Sequence, residues 1–162
     1  MSNNHKPPAP LPRRGIDVVD RAPANGRAGE PHRGFTTVLW CCPEHAVLVR
    51  RNVRLVADLP KSASEVLEQL ASELFNNAWV HSRSRETGTV RVSVFRFPTC
   101  TRVKVTDDGP RPDSPTIPRL RPLDVYSEHG FGLFLLDRES DRWGVLREPT
   151  GGTSVWFEKD RP

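Results

Sequence analysis

Proline placement is the strongest single constraint on how this chain can fold. Of its 16 prolines, 6 precede residue 35 and 5 fall between Pro110 and Pro122. Proline lacks a backbone N–H and fixes φ, so neither stretch can run as a helix interior or a central strand. Regular structure is left with residues 35–109 and 130–158. Met1 to Gly34 also carries several Arg and Gly and only a thin apolar scatter at Ile16, Val18 and Val19. It cannot bury enough apolar area to offset its ordering entropy, so residues 1–34 are expected to be a disordered tail. Pro110 to Glu128 reads as a long loop, of a size that in compact domains serves as a lid or stays disordered. A chain of 162 residues supports one hydrophobic core. The expectation is therefore one domain over residues 35–158, with 159–162 as a C-terminal end.

Several function classes drop out. No run of about 18 apolar residues is present to span a bilayer, and the tail has no continuous apolar segment or small-residue cleavage pattern. A cytoplasmic protein with no membrane partner is expected. Cys41, Cys42 and Cys100 form neither an even disulfide set nor a C-x-x-C knuckle, and read as structural. The net charge of +4 and pI near 9.3 raise the question of nucleic acid. Lys and Arg are dispersed among Asp and Glu, however, and form no basic stripe with interleaved aromatics, which argues against it.

The elements follow from periodicity. Phe35–Trp40 is β-branched and aromatic, and predicts a strand. Pro43 marks a strand-to-helix junction, and Ala46, Val47, Val49, Arg50, Val53, Val56 and Ala57 recur at helical spacing until Leu59-Pro60. Ser62 or Ser64 can cap a second helix ending near His81, with Glu65 and Glu68 at its positive end. After a polar linker from Ser82 to Gly88, Val90, Val92 and Val94 alternate as a strand, and Phe97–Cys100 turns into a second, Arg102–Thr106. Gly130-Phe-Gly132 opens a third helix reaching about Arg142. Trp143–Leu146 and Ser154–Glu158 then form a terminal hairpin across Thr150–Gly152. This order predicts an α+β two-layer sandwich: a mixed, mostly antiparallel sheet with helices on one face.

Three polar features carry the chemistry. On the second helix Glu73, Asn77 and His81 follow one another at i, i+4 and i+8, in the same angular sector as Val66, Leu70 and Leu74. A carboxylate and an amide on an apolar stripe are costly unless paired or metal-bound. At Val105-Thr-Asp107-Asp-Gly109 an acidic residue closes a strand and a glycine lets the chain turn; the bland reading is a common Asp-Gly turn. At His129-Gly130-Phe-Gly132-Leu133 two glycines start a helix, where exposed N–H groups and the helix dipole favour a phosphate; the bland reading is a tight turn.

In this order, Glu73-Leu-Phe-Asn-Asn77-Ala-Trp-Val-His81, Val105-Thr-Asp107-Asp-Gly109-Pro and His129-Gly-Phe-Gly-Leu133 resemble the N, G1 and G2 boxes of the GHKL superfamily. Histidine kinases, type II topoisomerases, a heat-shock chaperone and a mismatch-repair ATPase share those boxes. More closely, they look like the anti-sigma regulatory Ser/Thr kinases abundant in actinobacteria, whose final box is similar to Gly152-Thr153-Ser-Val-Trp156-Phe157. The resemblance runs roughly from Val38 to Glu158 and implies a Bergerat-type ATP-binding fold. By that resemblance Asn77 would ligate Mg²⁺ and Glu73 would act as general base. Asp107 would hold the adenine amino group, Gly109 would make room for the ring, Gly130 and Gly132 would contact phosphates, and Thr153 would lie near the adenine end. His81 would support them. Arg111 stands where family members often carry a second glycine, and Arg119 and Arg121 lie in the lid.

The resemblance implies ATP and Mg²⁺ as cofactors and an anti-anti-sigma antagonist, a sigma factor, or both as protein partners. It also implies homodimerisation, with Val38, Leu39 and Trp40 as candidates. The first functional expectation is a kinase that phosphorylates the antagonist, which needs Glu73 and Asn77. The second is a nucleotide-dependent binding module that sequesters a regulator without significant transfer, which needs Asn77 but can spare Glu73.

Overall fold

The alternating valines in the middle of the chain form the centre of a five-stranded sheet in the computed structural model, which describes residues 31–113 and 131–162. β1 (Arg33–Trp40), β2 (Thr89–Arg96), β3 (Cys100–Asp107), β4 (Arg142–Arg147) and β5 (Thr153–Asp160) lie in the order β1-β2-β3-β5-β4. All four pairings are antiparallel. The sheet expected to be mixed is therefore antiparallel throughout its described strands. Val92, Val94 and Val103 have no exposed surface, and alternate residues of the other strands share their face.

That face is covered by α1 (Ala46–Ala57), α2 (Lys61–His81) and α4 (Phe131–Glu139), which makes the expected α+β two-layer sandwich. A stripe of Leu67, Leu70, Ala71, Leu74, Phe75 and Ala78 buries α2 against the valines. The pattern follows helical spacing, and burial of such a stripe, more than intrinsic propensity, holds a helix in place. Leu133 and Leu136 do the same for α4, and the Trp143 indole N–H donates to Asp137 at 2.9 Å, tying α4 to β4.

Several boundaries differ from the periodic reading. β1 begins at Arg33, because His32 and the strand after it already pair with β2. Neither Ser62 nor Ser64 caps α2. Pro60 takes the cap position with extended ψ of 150°, and the Ser64 hydroxyl donates instead to Glu68 at 2.8 Å. Residues 82–88 are not a plain linker but contain a one-turn helix, α3 (Ser84–Thr87). β3 starts at Cys100, since Phe97 N–H reaches the Cys100 carbonyl in a tight turn. α4 stops at Glu139, where the amide and hydroxyl of Ser140 both bond to the Leu136 carbonyl and Asp141 N–H joins Glu158. Of the long proline loop only 110–113 is described; its remainder, with Arg119, Arg121, His129 and Gly130, lies outside the described residues, as does the tail to residue 30. No helix among the described residues is long and apolar enough to cross a membrane.

Candidate functional site

Two clusters of the singled-out residues form at one end of the sandwich. The first lies where α2 meets α4. Glu73 and Asn77 are one helical turn apart and half-buried, on the flank of α2 and not on its buried stripe. Gly132, the second residue of α4, is buried against them. A Cβ placed on Gly132 would sit 2.9 Å from the Asn77 carboxamide nitrogen and 3.4 Å from both Cβ and a carboxylate oxygen of Glu73. Glycine is thus required for close approach: its bare backbone meets the carboxamide and the carboxylate at the start of a helix. The interruption of the apolar stripe therefore corresponds to two half-buried polar groups on the edge of α2 that face α4, not to a buried polar pair. His81, the last residue of α2, is exposed.

The second cluster lies where β3 leaves the sheet. Asp107 closes β3, paired in register with Thr153 at the start of β5. One Asp107 oxygen accepts the Gly109 amide at 2.7 Å. Burial pushes the Asp107 carboxyl up from its ordinary 3.8 to about 6, the amides of Gly109 and Thr153 pull it back, and neighbouring Asp108 adds to the rise. The Thr153 hydroxyl is buried and has no hydrogen-bond partner among the described residues. A buried hydroxyl left unpaired costs free energy, so an orphan beside a half-buried carboxylate is what a site for a polar ligand looks like.

Gly109 adopts φ of 90°, in the left-handed region, and a Cβ there would collide with the Gly151 carbonyl. A Cβ on Gly152 would come within 2.5 Å of the Asp107 carbonyl oxygen. The turn between β4 and β5 therefore lies backbone to backbone against the loop after β3. In the sequence Gly151 was legible as part of a hairpin turn and Gly152 also as the start of the family's final box, but nothing local says which loop they must touch. Arg111 is engaged within its own turn, with its guanidinium on Asp113 at 3.1 Å and 3.2 Å. Cys41 is buried nearby: desolvation, then the Asp107 charge, push its thiol up to about 11.

Chemically, the first cluster offers a carboxamide oxygen of the kind hard cations prefer, a carboxylate one turn away and helix-start N–H groups. The second offers a carboxylate acceptor and a hydroxyl, held in place by glycines that let two loops pack backbone to backbone. No group of three or more metal-ligating side chains occurs among the described residues. A cation here would take most of its ligands from water or from phosphate oxygens, as Mg²⁺ does in nucleotide sites.

Comparison with known proteins gives the same domain. The family model for the histidine kinase-like ATPase domain matches residues 39–159. Sensor histidine kinase TrcS from Mycobacterium tuberculosis is 33% identical over 103 residues, covering 56% of this chain and 20% of the relative. The chain thus spans about a fifth of the length of the curated relative it matches.

Proposed function

The chain belongs to the histidine kinase-like ATPase domain family, and from that premise we propose that it is a Mg-ATP-dependent Ser/Thr protein kinase of the anti-sigma regulatory type. The observation that carries the reading is the contact of Gly132 with both Asn77 and Glu73, together with the Asp107–Thr153 pair and its orphan hydroxyl. Each residue has a role that its position supports. Asp107 accepts from the exocyclic amino group of adenine, and Thr153 gives its unused hydroxyl to the same end of the nucleotide. Gly109 and Gly152 let the loops after β3 and β4 pack backbone to backbone and so hold Asp107 in position for the ring. Gly132, at the start of α4, offers its backbone N–H to phosphate; Gly130, outside the described residues, is assigned the same role from the resemblance alone. Asn77 holds the cation, which when bound neutralises phosphate charge and so assists transfer. Glu73, one turn from Asn77, orients and deprotonates the attacking hydroxyl of an antagonist protein, a task that needs proximity more than a shifted pKa.

The proposed partners are an anti-anti-sigma antagonist and a sigma factor, in the cytoplasm. A second copy is proposed as a further partner, on the outer side of β1 and α1, where Val38 (58% exposed), Trp40 (64% exposed), Val47 and Leu55 stand open. Leu39, the third sequence candidate for that contact, packs against the core instead.

The test is phosphoryl transfer from γ-labelled ATP to candidate antagonist proteins, with wild type and Glu73→Gln. The reading predicts an acid-stable phosphoserine or phosphothreonine product. It also predicts that Glu73→Gln loses transfer by about 100-fold or more, the scale of general-base removal, with nucleotide affinity nearly unchanged. An acid-labile product would place the activity with histidine phosphorylation. Nucleotide-dependent capture of a partner with no transfer would favour the binding-module reading.

A further inference from the structure

The two halves of the site lie on elements far apart in sequence, and the link between them is a cluster that the proposed chemistry does not use. Asn77 is on α2; Asp107 is at the end of β3. Just past α2 the chain turns back onto the loop that follows β3. Ser84, with no exposed surface, accepts the Asp108 amide at 2.9 Å and donates to the Asp108 carboxylate at 3.2 Å. Arg83 brings two guanidinium nitrogens to the Asp108 carbonyl, at 2.7 Å and 3.2 Å, while its own amide donates to the Gly109 carbonyl at 2.9 Å. Ser82 makes a β-bridge with Pro110. Ser82 is itself locked: its hydroxyl donates to the Ala78 carbonyl at 2.6 Å and accepts the Ser84 amide at 3.0 Å. Ala78 follows Asn77 directly. Residues 82–84 therefore grip residues 108–110 through side chain and backbone together, one residue beyond Asp107 and one turn beyond Asn77.

We infer that Ser84 and Arg83 are positioning residues that fix the distance between the cation-holding and adenine-holding halves of the site. This rests on the nucleotide reading above. A ligand gripped at both ends gains from a preset spacing, because the second contact then forms without further ordering of the protein. A loop held only by β5, through the Asp107–Thr153 pairing, would still present the Asp107 carboxylate to adenine. It would no longer be tied to α2. The clamp's contribution should accordingly appear in ligands that span both halves and be absent from ligands that occupy one.

Calorimetric titration of the full chain with adenosine and with Mg-ATP distinguishes these, using wild type, Ser84→Ala, Ser84→Thr and Arg83→Ala. Ser84→Ala should weaken Mg-ATP by about tenfold, the scale of a lost pair of hydrogen bonds, and leave adenosine within about twofold. Ser84→Thr, which keeps the hydroxyl, should recover most of that loss. Arg83→Ala removes an exposed side chain and should act in the same direction even if Ser84→Ala folds poorly. Unchanged Mg-ATP affinity in both alanine variants, or an equal loss for adenosine, would overturn the positioning role while leaving the nucleotide reading intact. Absence of Mg-ATP binding by the wild type would overturn both.

Discussion

At the scale of single residues the site is set by Asp107, whose environment pulls two ways. Burial disfavours its charge, yet one oxygen is engaged by the Gly109 amide, and the proposed adenine amino group would be accepted best by the ionised form. Its folded value, about 6, lies above the ordinary 3.8. The stability it contributes is therefore fully present below 3.8 and is lost as pH rises through 6. Asp107→Asn should raise the unliganded protein's stability at pH near 7.5 by about 1–3 kcal/mol, with the gain vanishing near pH 4. The same change should weaken ATP by about tenfold or more, since it removes a charged hydrogen-bond acceptor. Thermal unfolding at the two pH values, with and without ATP, checks both; a variant that is less stable at both would mean that the carboxylate is a structural hub and not a ligand group.

Among the elements, the α1–α2 pair depends on a carboxylate whose burial the chain's periodicity did not reveal. The sequence reading placed Glu68 near the positive end of α2 and gave it no partner; its side chain is only 5% exposed. It accepts from Arg54 of α1 at 2.9 Å and 2.6 Å and from Ser64 at 2.8 Å. The Arg54 hydrogen bonds hold its carboxyl below the usual carboxylate range, against the opposing effect of burial. Stability from this group is present above its ordinary value of 4.5 and lost as pH falls through the lowered folded value. Glu68→Gln should cost about 1–2 kcal/mol at neutral pH, moderated because Arg54 is largely in water, and the difference from wild type should shrink as the carboxylate is protonated in acid. Urea unfolding at neutral and acid pH tests this, and a pH-independent difference would mean that packing, not charge, is lost.

Across the whole molecule, local signals and long-range contacts divide what could be read from what could not. The valine alternation at Val90, Val92 and Val94, the helical spacing of α1 and α2 and the proline stretches each act over a few residues, so the α+β sandwich and most of its elements were legible. Glu73 and Asn77 stood out because they interrupted an apolar stripe, whereas Asp107 and Gly132, each readable locally as an ordinary turn, stood out only through the ordered family boxes. Contacts joining distant segments were not legible. The Ser84–Asp108 clamp spans 24 residues, and its members look like ordinary loop polar groups. The approach of Gly152 to Asp107 and the pairing of Arg54 with Glu68 likewise depend on how the sheet order β1-β2-β3-β5-β4 and the helix layer bring segments together. At this scale the account makes one central claim, that a single Mg-ATP bridges the α2–α4 cluster and the Asp107–Thr153 pair. Titration calorimetry of wild type and Asn77→Ala with ATP, with and without Mg²⁺, tests it most directly. The account predicts that wild type binds ATP more tightly with Mg²⁺ and that Asn77→Ala loses the Mg²⁺-dependent part; equal affinity for ATP in the two proteins at every Mg²⁺ concentration would contradict it.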